Sequence, residues 1–261
     1  MESVVIGAAS GMGAAVARRL ASRGPMLISD RDGEPLERLA KELGGDVEVR
    51  ECDITRPDQV EALFAGVDSV TSLVVTAGIA AVSGAPGRKI LEVNLQGMRR
   101  VLDAFDPILG EGTSAVCFAS AGAYLVPDTP EVLKVLDDPL QEGFFDALAA
   151  VGVDLENNLD CYNWSKKGVK LLVRQLAAPW GARGARIMAL SPGAIDTPMG
   201  RDQAEETPIM IPWIEATPAG RWADADEVAA VTEFLTSSGA SFMTGSEVLV
   251  DGGSISLNPP Y

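Results

Sequence analysis

SVVIGAASGMG, residues 3–13, decides the fold. Val4, Val5 and Ile6 are β-branched and read as a short buried strand. They run without a spacer into glycines at 7, 11 and 13, and an apolar stripe from Met12 to about Arg23 then reads as a helix. A glycine-rich turn between strand and helix lets backbone N–H groups approach a pyrophosphate, with the helix N-terminus favouring its charge. Gly7, Ser10, Gly11, Met12 and Gly13 are therefore candidate nucleotide contacts. The same glycines equally suit a tight strand-to-helix turn with no ligand.

The pattern repeats outward. PMLISD (25–30), VEVREC (47–52), SVTSLVVTAG (69–78), SAVCFAS (114–120), ARIMALS (185–191) and EVLV (247–250) read as further strands. Between them lie segments of helical period at 36–43, after a Thr55 cap and Pro57 start, at 89–105, 161–178 and 225–237. Nearly continuous apolar strands alternating with helices imply a parallel sheet of seven strands covered on both faces. The expected architecture is a single α/β, doubly wound Rossmann-like domain spanning 1–261. Ligands of such sheets bind beyond the carboxyl ends of the strands. Asp30 ends the second strand at the distance where a carboxylate accepts hydrogen bonds from both ribose hydroxyls and repels a 2′-phosphate. NAD is favoured over NADP, although Arg31 next door can bind that phosphate or stack on adenine.

Composition narrows the chemistry. With 37 acidic against 21 basic residues the formal charge is −16, which makes nucleic acid and anionic lipid poor partners. Hydrophobic residues at 47% and charged residues at 22% fit a globular chain rather than a disordered one. There is no histidine, which removes Ser-His-Asp and Cys-His catalysis and the usual zinc sites, and no metal is expected. Cys52, Cys117 and Cys161 stand apart in or beside apolar runs, as buried free thiols of a reducing compartment do. The N-terminus lacks signal-peptide character and no apolar run approaches the ~20 residues of a membrane span, so a cytoplasmic protein is expected.

CYNWSKKG (161–168) places Tyr162 four residues before Lys166, on one face of a helix. A nearby ammonium lowers a phenol's pKa from about 10 toward the range where acid/base work is efficient. The spacing is common by chance, so the pair gains weight only in company.

That company resembles the short-chain dehydrogenases/reductases. Their Thr-Gly-x-x-x-Gly-x-Gly is matched by IGAASGMG with Ile6 for threonine, and their adenine-side Asp-Val/Ile by Asp53-Ile54. Their Asn-Asn-Ala-Gly reads VTAG, with Val75 and Thr76 for the asparagines and Ala77-Gly78 kept. SPGAIDTPM (191–199) resembles the nicotinamide-binding Pro-Gly-x-x-x-Thr, which implies contacts from Pro192, Gly193, Ile195 and Thr197. The resemblance implies a catalytic tetrad of Asn94, Ser120, Tyr162 and Lys166. Tyr162 is the implied proton donor or acceptor, and Ser120 holds the substrate oxygen. Lys166 binds the nicotinamide ribose and lowers the phenol pKa, and Asn94 positions a water for proton relay. The implied activity is interconversion of a secondary alcohol and a ketone. The alternative is a non-catalytic NAD-binding regulator, which would be expected to lose a member of the tetrad.

Ser120 and Tyr162 are separated by more chain than in most of the family. Within 125–160, DTPEVLKVLDDP, with Asp128 or Thr129 as cap, and GFFDALAAVG each read as a short helix. This insertion, with VTAG, is similar to bacterial 3α-hydroxysteroid dehydrogenase/carbonyl reductases. The segment 198–215 should form a substrate lid, whose Met199 and Ile209–Trp213 suit a bulky hydrophobic alcohol or ketone, although these side chains equally suit packing at home. Family members commonly pair through the Asn- and Tyr-bearing helices, where the insertion stands. A homodimer or homotetramer joined through the 225–237 helix and the last strand is expected instead.

Overall fold

In the computed structural model the described residues are 1–207 and 210–257, less the side chains of Met210 and Trp213. The first half runs β1 (Ser3–Ile6), α1 (Gly11–Leu20), β2 (Met26–Asp30), α2 (Gly33–Leu43), β3 (Val47–Glu51), α3 (Pro57–Leu63) and β4 (Ser72–Val75). α4 (Gly87–Leu91) continues through a π-helical stretch (Glu92–Gly97) into α5 (Met98–Phe105), followed by β5 (Ser114–Phe118) and a 3-10 turn (Ala121–Tyr124). Then come α6 (Pro130–Leu136), α7 (Phe144–Ala150), the long α8 (Asn158–Gly181) and β6 (Arg186–Pro192). β7 (Ile195–Asp196), α9 (Pro198–Glu206), α10 (Met210–Ala216), β8 (Ala223–Asp224), α11 (Ala225–Leu235), β9 (Glu247–Val250) and α12 (Ser254–Leu257) complete the order.

Seven strands form one sheet in the order β3-β2-β1-β4-β5-β6-β9, every pair parallel. β7 and β8 make a separate two-residue ribbon. Ser3, Val4, Val5 and Ile6 are essentially inaccessible because β1 is sandwiched between β2 and β4 and covered on both faces. One face packs Leu95, Phe105, Val169 and Trp180 against the strands, and the other packs Val16, Leu20, Leu36, Val228 and Leu235. Phe64, Phe105 and Trp180 form a tilted aromatic run with centroids 5.6 and 5.9 Å apart, and the Trp180 indole N–H donates to Asp106 at 3.0 Å. The three cysteines are buried and free. Burial pushes the thiols of Cys52 and Cys161 up to about 11 and that of Cys117 up to about 12.

Several element ends differ from the sequence reading, each for a local reason. α8 begins at Asn158 rather than 161, because the Asn157 side chain accepts the Asp160 N–H at 3.1 Å. Thr55 is not the cap of α3. Its hydroxyl and N–H are committed to the Asp53 carboxylate at 2.8 and 2.9 Å, and Arg56 takes the cap position ahead of Pro57. Asp128 does not cap α6 either, since its carboxylate pairs with Lys167. β4 is shorter than 69–78, because past Val75 the N–H groups of Thr76 and Ala77 both turn onto the Ile6 carbonyl.

The insertion is built into the core. Val132, Leu136, Phe144, Leu148, Val153 and Leu155 are buried in the same cluster as α8 and the strands. Lys167 donates to the Val126 carbonyl at 2.9 Å, and Gln96 to that of Pro139 at 2.7 Å. Phe144→Ala should therefore cost about 3–5 kcal/mol in urea denaturation. A cost below about 1 kcal/mol would mean the insertion rides on the surface.

Candidate active site

The site lies beyond the carboxyl ends of β1 and β4, the neighbouring strands at which strand order reverses. Two glycines make the turn there possible. A Cβ on Gly13 would lie 2.0 Å from the Gly7 carbonyl oxygen, and one on Gly7 would lie 2.4 Å from the Ala77 nitrogen. Gly7 also takes φ 93, which disfavours side chains. Thr76, standing in one of the two asparagine positions, donates its hydroxyl to the carbonyls of Ile6 and Gly7, both at 3.0 Å. It braces the turn from the β4 side.

This turn forms one end of a cavity of about 340 Å³. Every residue expected to touch the cofactor lines it, from Gly7 through Asp30, Arg31, Asp53, Ile54, Ala77 and Gly78 to Pro192, Gly193, Ile195 and Thr197. Asp30 is fixed by two N–H donors, Ala9 at 3.1 Å and Arg31 at 2.8 Å, one to each carboxylate oxygen. The Arg31 guanidinium is exposed and leans toward Asp32 at 3.7 Å. Burial would raise the Asp53 carboxyl, but the two Thr55 bonds outweigh it and hold the group below the usual range. The far end of the cradle folds back on the near end: a Cβ on Gly11 would sit 3.3 Å from the Thr197 methyl. Thr197 caps α9, its hydroxyl oxygen accepting the Gly200 N–H at 3.1 Å.

Close packing brings the reactive groups together. Gly168 lets α8 lie on Leu95 of the π-helical stretch, since a Cβ there would be 2.6 Å from Leu95 Cδ2. Gly122 sits between Ser120 and Tyr162, and a Cβ there would be 3.4 Å from both Ser120 Oγ and Tyr162 Cε1. Lys166 is buried and donates to the Phe118 carbonyl at 3.0 Å, with Nζ 5.8 Å from the Tyr162 ring centre. Burial pushes its ammonium down to about 8. Burial also pushes the Tyr162 phenol above its ordinary 10, and the Ser120 hydroxyl pulls it partly back. The depression expected from Lys166 is thus not what the protein alone shows: burial dominates, and the only lowering comes from Ser120.

Asn94 is the one expected residue that stands back from the cavity wall. It is inaccessible, and its amide is committed at both ends to Ile79, accepting the N–H at 2.8 Å and donating to the carbonyl at 3.0 Å. Its side chain holds the loop after Gly78 instead of pointing at a substrate. The sequence reading missed Thr76, Ile79, Lys89, Gln203 and Trp222 as wall residues. The turn position of Thr76 was a signal for it; nothing local marks the other four. Of the apolar lid run Ile209–Trp213, Ile209 and the side chains of Met210 and Trp213 lie outside the described residues, and Ile211 is exposed. Among the described residues no cluster fits a metal ion, and no helix is long and apolar enough to cross a membrane.

A glycine cradle at the switch point, joined by one cavity to half-buried Ser120 and Tyr162 and a buried Lys166, has the form of a dinucleotide-dependent oxidoreductase site. The model described as short chain dehydrogenase matches residues 3–124, and that described as Enoyl-(Acyl carrier protein) reductase matches 147–254. Galactitol 2-dehydrogenase (L-tagatose-forming) of Cereibacter sphaeroides is 31% identical, over 96% of this chain and 93% of its own length. The 3-alpha-hydroxysteroid dehydrogenase/carbonyl reductase of Comamonas testosteroni is 31% identical, over 96% and 95%. The solved structure of levodione reductase superposes with a TM-score of 0.76 at 26% identity, covering 98% of both chains. The chain belongs to the short-chain dehydrogenase/reductase family, whose members use a nicotinamide cofactor, and is an oxidoreductase of alcohol CH–OH groups.

The cradle leaves no room for a side chain. Gly13→Ala should lower NADH affinity by at least about 100-fold, measured by calorimetry, because the turn must open to admit the methyl. Wild-type affinity in that variant would show that the cradle is not the binding surface.

Proposed function

We propose that the protein is an NAD(H)-dependent dehydrogenase/reductase of bulky, hydrophobic secondary alcohols and ketones, hydroxysteroids or other alicyclic substrates, with Tyr162 as general acid/base. The observation that carries this reading is the meeting of Ser120, Tyr162 and Lys166 in the wall of the cavity that begins at the Gly7–Gly13 turn. The preference for NAD rests on Asp30. Its fixed carboxylate suits ribose hydroxyls and repels a 2′-phosphate, while Arg31 is turned toward Asp32.

When bound, the oxidised nicotinamide supplies the hydride acceptor and a second positive charge near the phenol. The Ser120 hydroxyl donates to the substrate oxygen and stabilises the charge that develops there. Tyr162, protonated at neutral pH by its raised pKa, is ready to protonate that oxygen when a ketone is reduced. In the alcohol direction it must first lose its proton, so the Lys166 ammonium counts most there. Asn94 keeps the Gly78–Ile79 loop in place beside Lys166, its Oδ1 3.0 Å and Lys166 Nζ 3.4 Å from where a Gly78 Cβ would stand. A water held for proton relay would have to rest on what the Ile79 bonds leave free. Met199 and Trp222, which line the cavity, favour an apolar substrate, and Gln203 adds a polar group to the same wall.

NADH formation on a panel of hydroxysteroids and alicyclic alcohols is the direct test. Tyr162→Phe should reduce kcat at least about 1000-fold while leaving NADH affinity near wild type. Turnover restricted to small polar alcohols would remove the substrate assignment, and a preference for NADP+ would remove the role given to Asp30. Alcohol oxidation should rise with pH as Tyr162 deprotonates. Lys166→Met should move that limb upward by about a pH unit or more, whereas an unmoved limb would assign it to another group.

The insertion covers the helix face around α4 and α8: a Cβ on Gly87 would be 2.4 Å from the Leu155 carbonyl oxygen. On the opposite side, Phe234 of α11 is exposed, Phe242 before β9 is fully exposed, and β9 is an open sheet edge. These support a homodimer or homotetramer joined through α11 and β9. Light scattering of Phe242→Ser should give a smaller species than the wild type, and a monomeric wild type would end this assignment.

A further inference from the structure

Outside the tetrad, the described part of the chain buries one more group of polar side chains around a single carboxylate. Glu247, at the start of β9, accepts from the Tyr124 hydroxyl at 2.8 Å, from the Ser191 hydroxyl, and from Lys170 Nζ at 2.7 Å. The Lys170 and Glu247 side chains are each only 11% exposed, Ser191 is inaccessible, and Lys170 Nζ lies 3.7 Å from the centre of the Tyr124 ring. Each donor belongs to an element that carries one part of the site. Tyr124 ends the 3-10 turn that Ser120 caps. Lys170 follows Lys166 by one helical turn, on the same face of α8 as Lys166. Ser191 immediately precedes Pro192-Gly193 at the end of β6. A buried ion pair is a poor choice for stability alone, since apolar side chains of similar volume usually hold a core as well or better. What it adds is direction: three donors on one carboxylate fix three elements relative to one another.

We propose that Glu247 is a positioning residue for the nicotinamide end of the site, setting the Ser120 turn, the Tyr162/Lys166 helix and the Pro192-Gly193 turn in register through Tyr124, Lys170 and Ser191. It touches neither substrate nor cofactor. The assignment rests on the dehydrogenase reading above. The glycine cradle and Asp30 are far along the sheet on β1 and β2, so the adenine end should not depend on Glu247.

The contrast between the two ends gives the test. NADH and ADP-ribose affinities are measured by calorimetry for the wild type, Glu247→Gln, Ser191→Ala and Tyr162→Phe. Glu247→Gln should weaken NADH by about tenfold, the loss of roughly one charged hydrogen bond, with ADP-ribose within about twofold of wild type. Ser191→Ala removes only one hydroxyl and keeps the test open if Glu247→Gln fails to fold; it should weaken NADH alone, by about threefold. Equal losses for the two ligands would reduce Glu247 to a structural residue, and no loss in either variant would overturn the proposal. If Tyr162→Phe kept full turnover, the catalytic reading would fall while the NADH/ADP-ribose contrast still decided the role of Glu247. Failure of the wild type to bind NADH would end both.

Discussion

The site depends on how closely three backbone segments approach beyond the carboxyl ends of β1 and β4. Gly13 lies against the Gly7 carbonyl, Gly7 against Ala77, and the Thr76 hydroxyl ties the Ile6 and Gly7 carbonyls to β4. No residue with a Cβ fits at positions 7 or 13 without moving main chain. Because α1 starts from this turn, its first residues, Gly11–Gly13, line the cavity, and a helix N-terminus favours a phosphate there. The Ala77-Gly78 step next to it leads straight to the Ile79 loop held by Asn94. A shift in the turn would thus be felt at both ends of the cradle.

The chemical end is assembled by a second set of close contacts. Asn94 lies in a π-helical stretch whose Gly97 lets Ile54 approach, a Cβ there falling 2.7 Å from Ile54 Cγ1. Such stretches widen a helix by one residue and often mark functional sites. Gly168 seats α8 on that stretch, and Gly122 lets the Ser120 turn meet Tyr162. Burial has opposite electrostatic effects on the pair: it raises the phenol and lowers the ammonium to about 8. Lys166 stays an ammonium at neutral pH, whereas a Tyr162 phenolate is disfavoured and must be sustained by whatever occupies the cavity.

The insertion changes the surroundings of this site without entering it. Its apolar residues join the α8 core, and Lys167, the neighbour of Lys166, is spent on fastening it through Val126 and Asp128. α8 is therefore clamped to the insertion along that face. The exposed Phe234 and Phe242 lie elsewhere, beside the edge strand β9.

Much of this was legible in the sequence because it is local. The strand-turn-helix of 3–23, the apolar strands, the Tyr162/Lys166 spacing and Pro192-Gly193 each follow from residues adjacent in the chain or one helical turn apart. Even the two short insertion helices were legible, the first marked by its own proline and apolar spacing. The sequence by itself therefore determined the sheet, the glycine turn at its carboxyl edge and the Ser120, Tyr162 and Lys166 side chains that share one cavity wall with it. What only the tertiary structure decided is how these groups are held and charged. Asn94 turning to Ile79, Thr76 bracing Gly7, and the convergence of Tyr124, Lys170 and Ser191 on Glu247 join residues from 15 to 123 positions apart, and burial sets the opposed shifts of the neighbouring Tyr162 and Lys166. Hydrogen bonding and desolvation act through space, and no spacing along the chain encodes them.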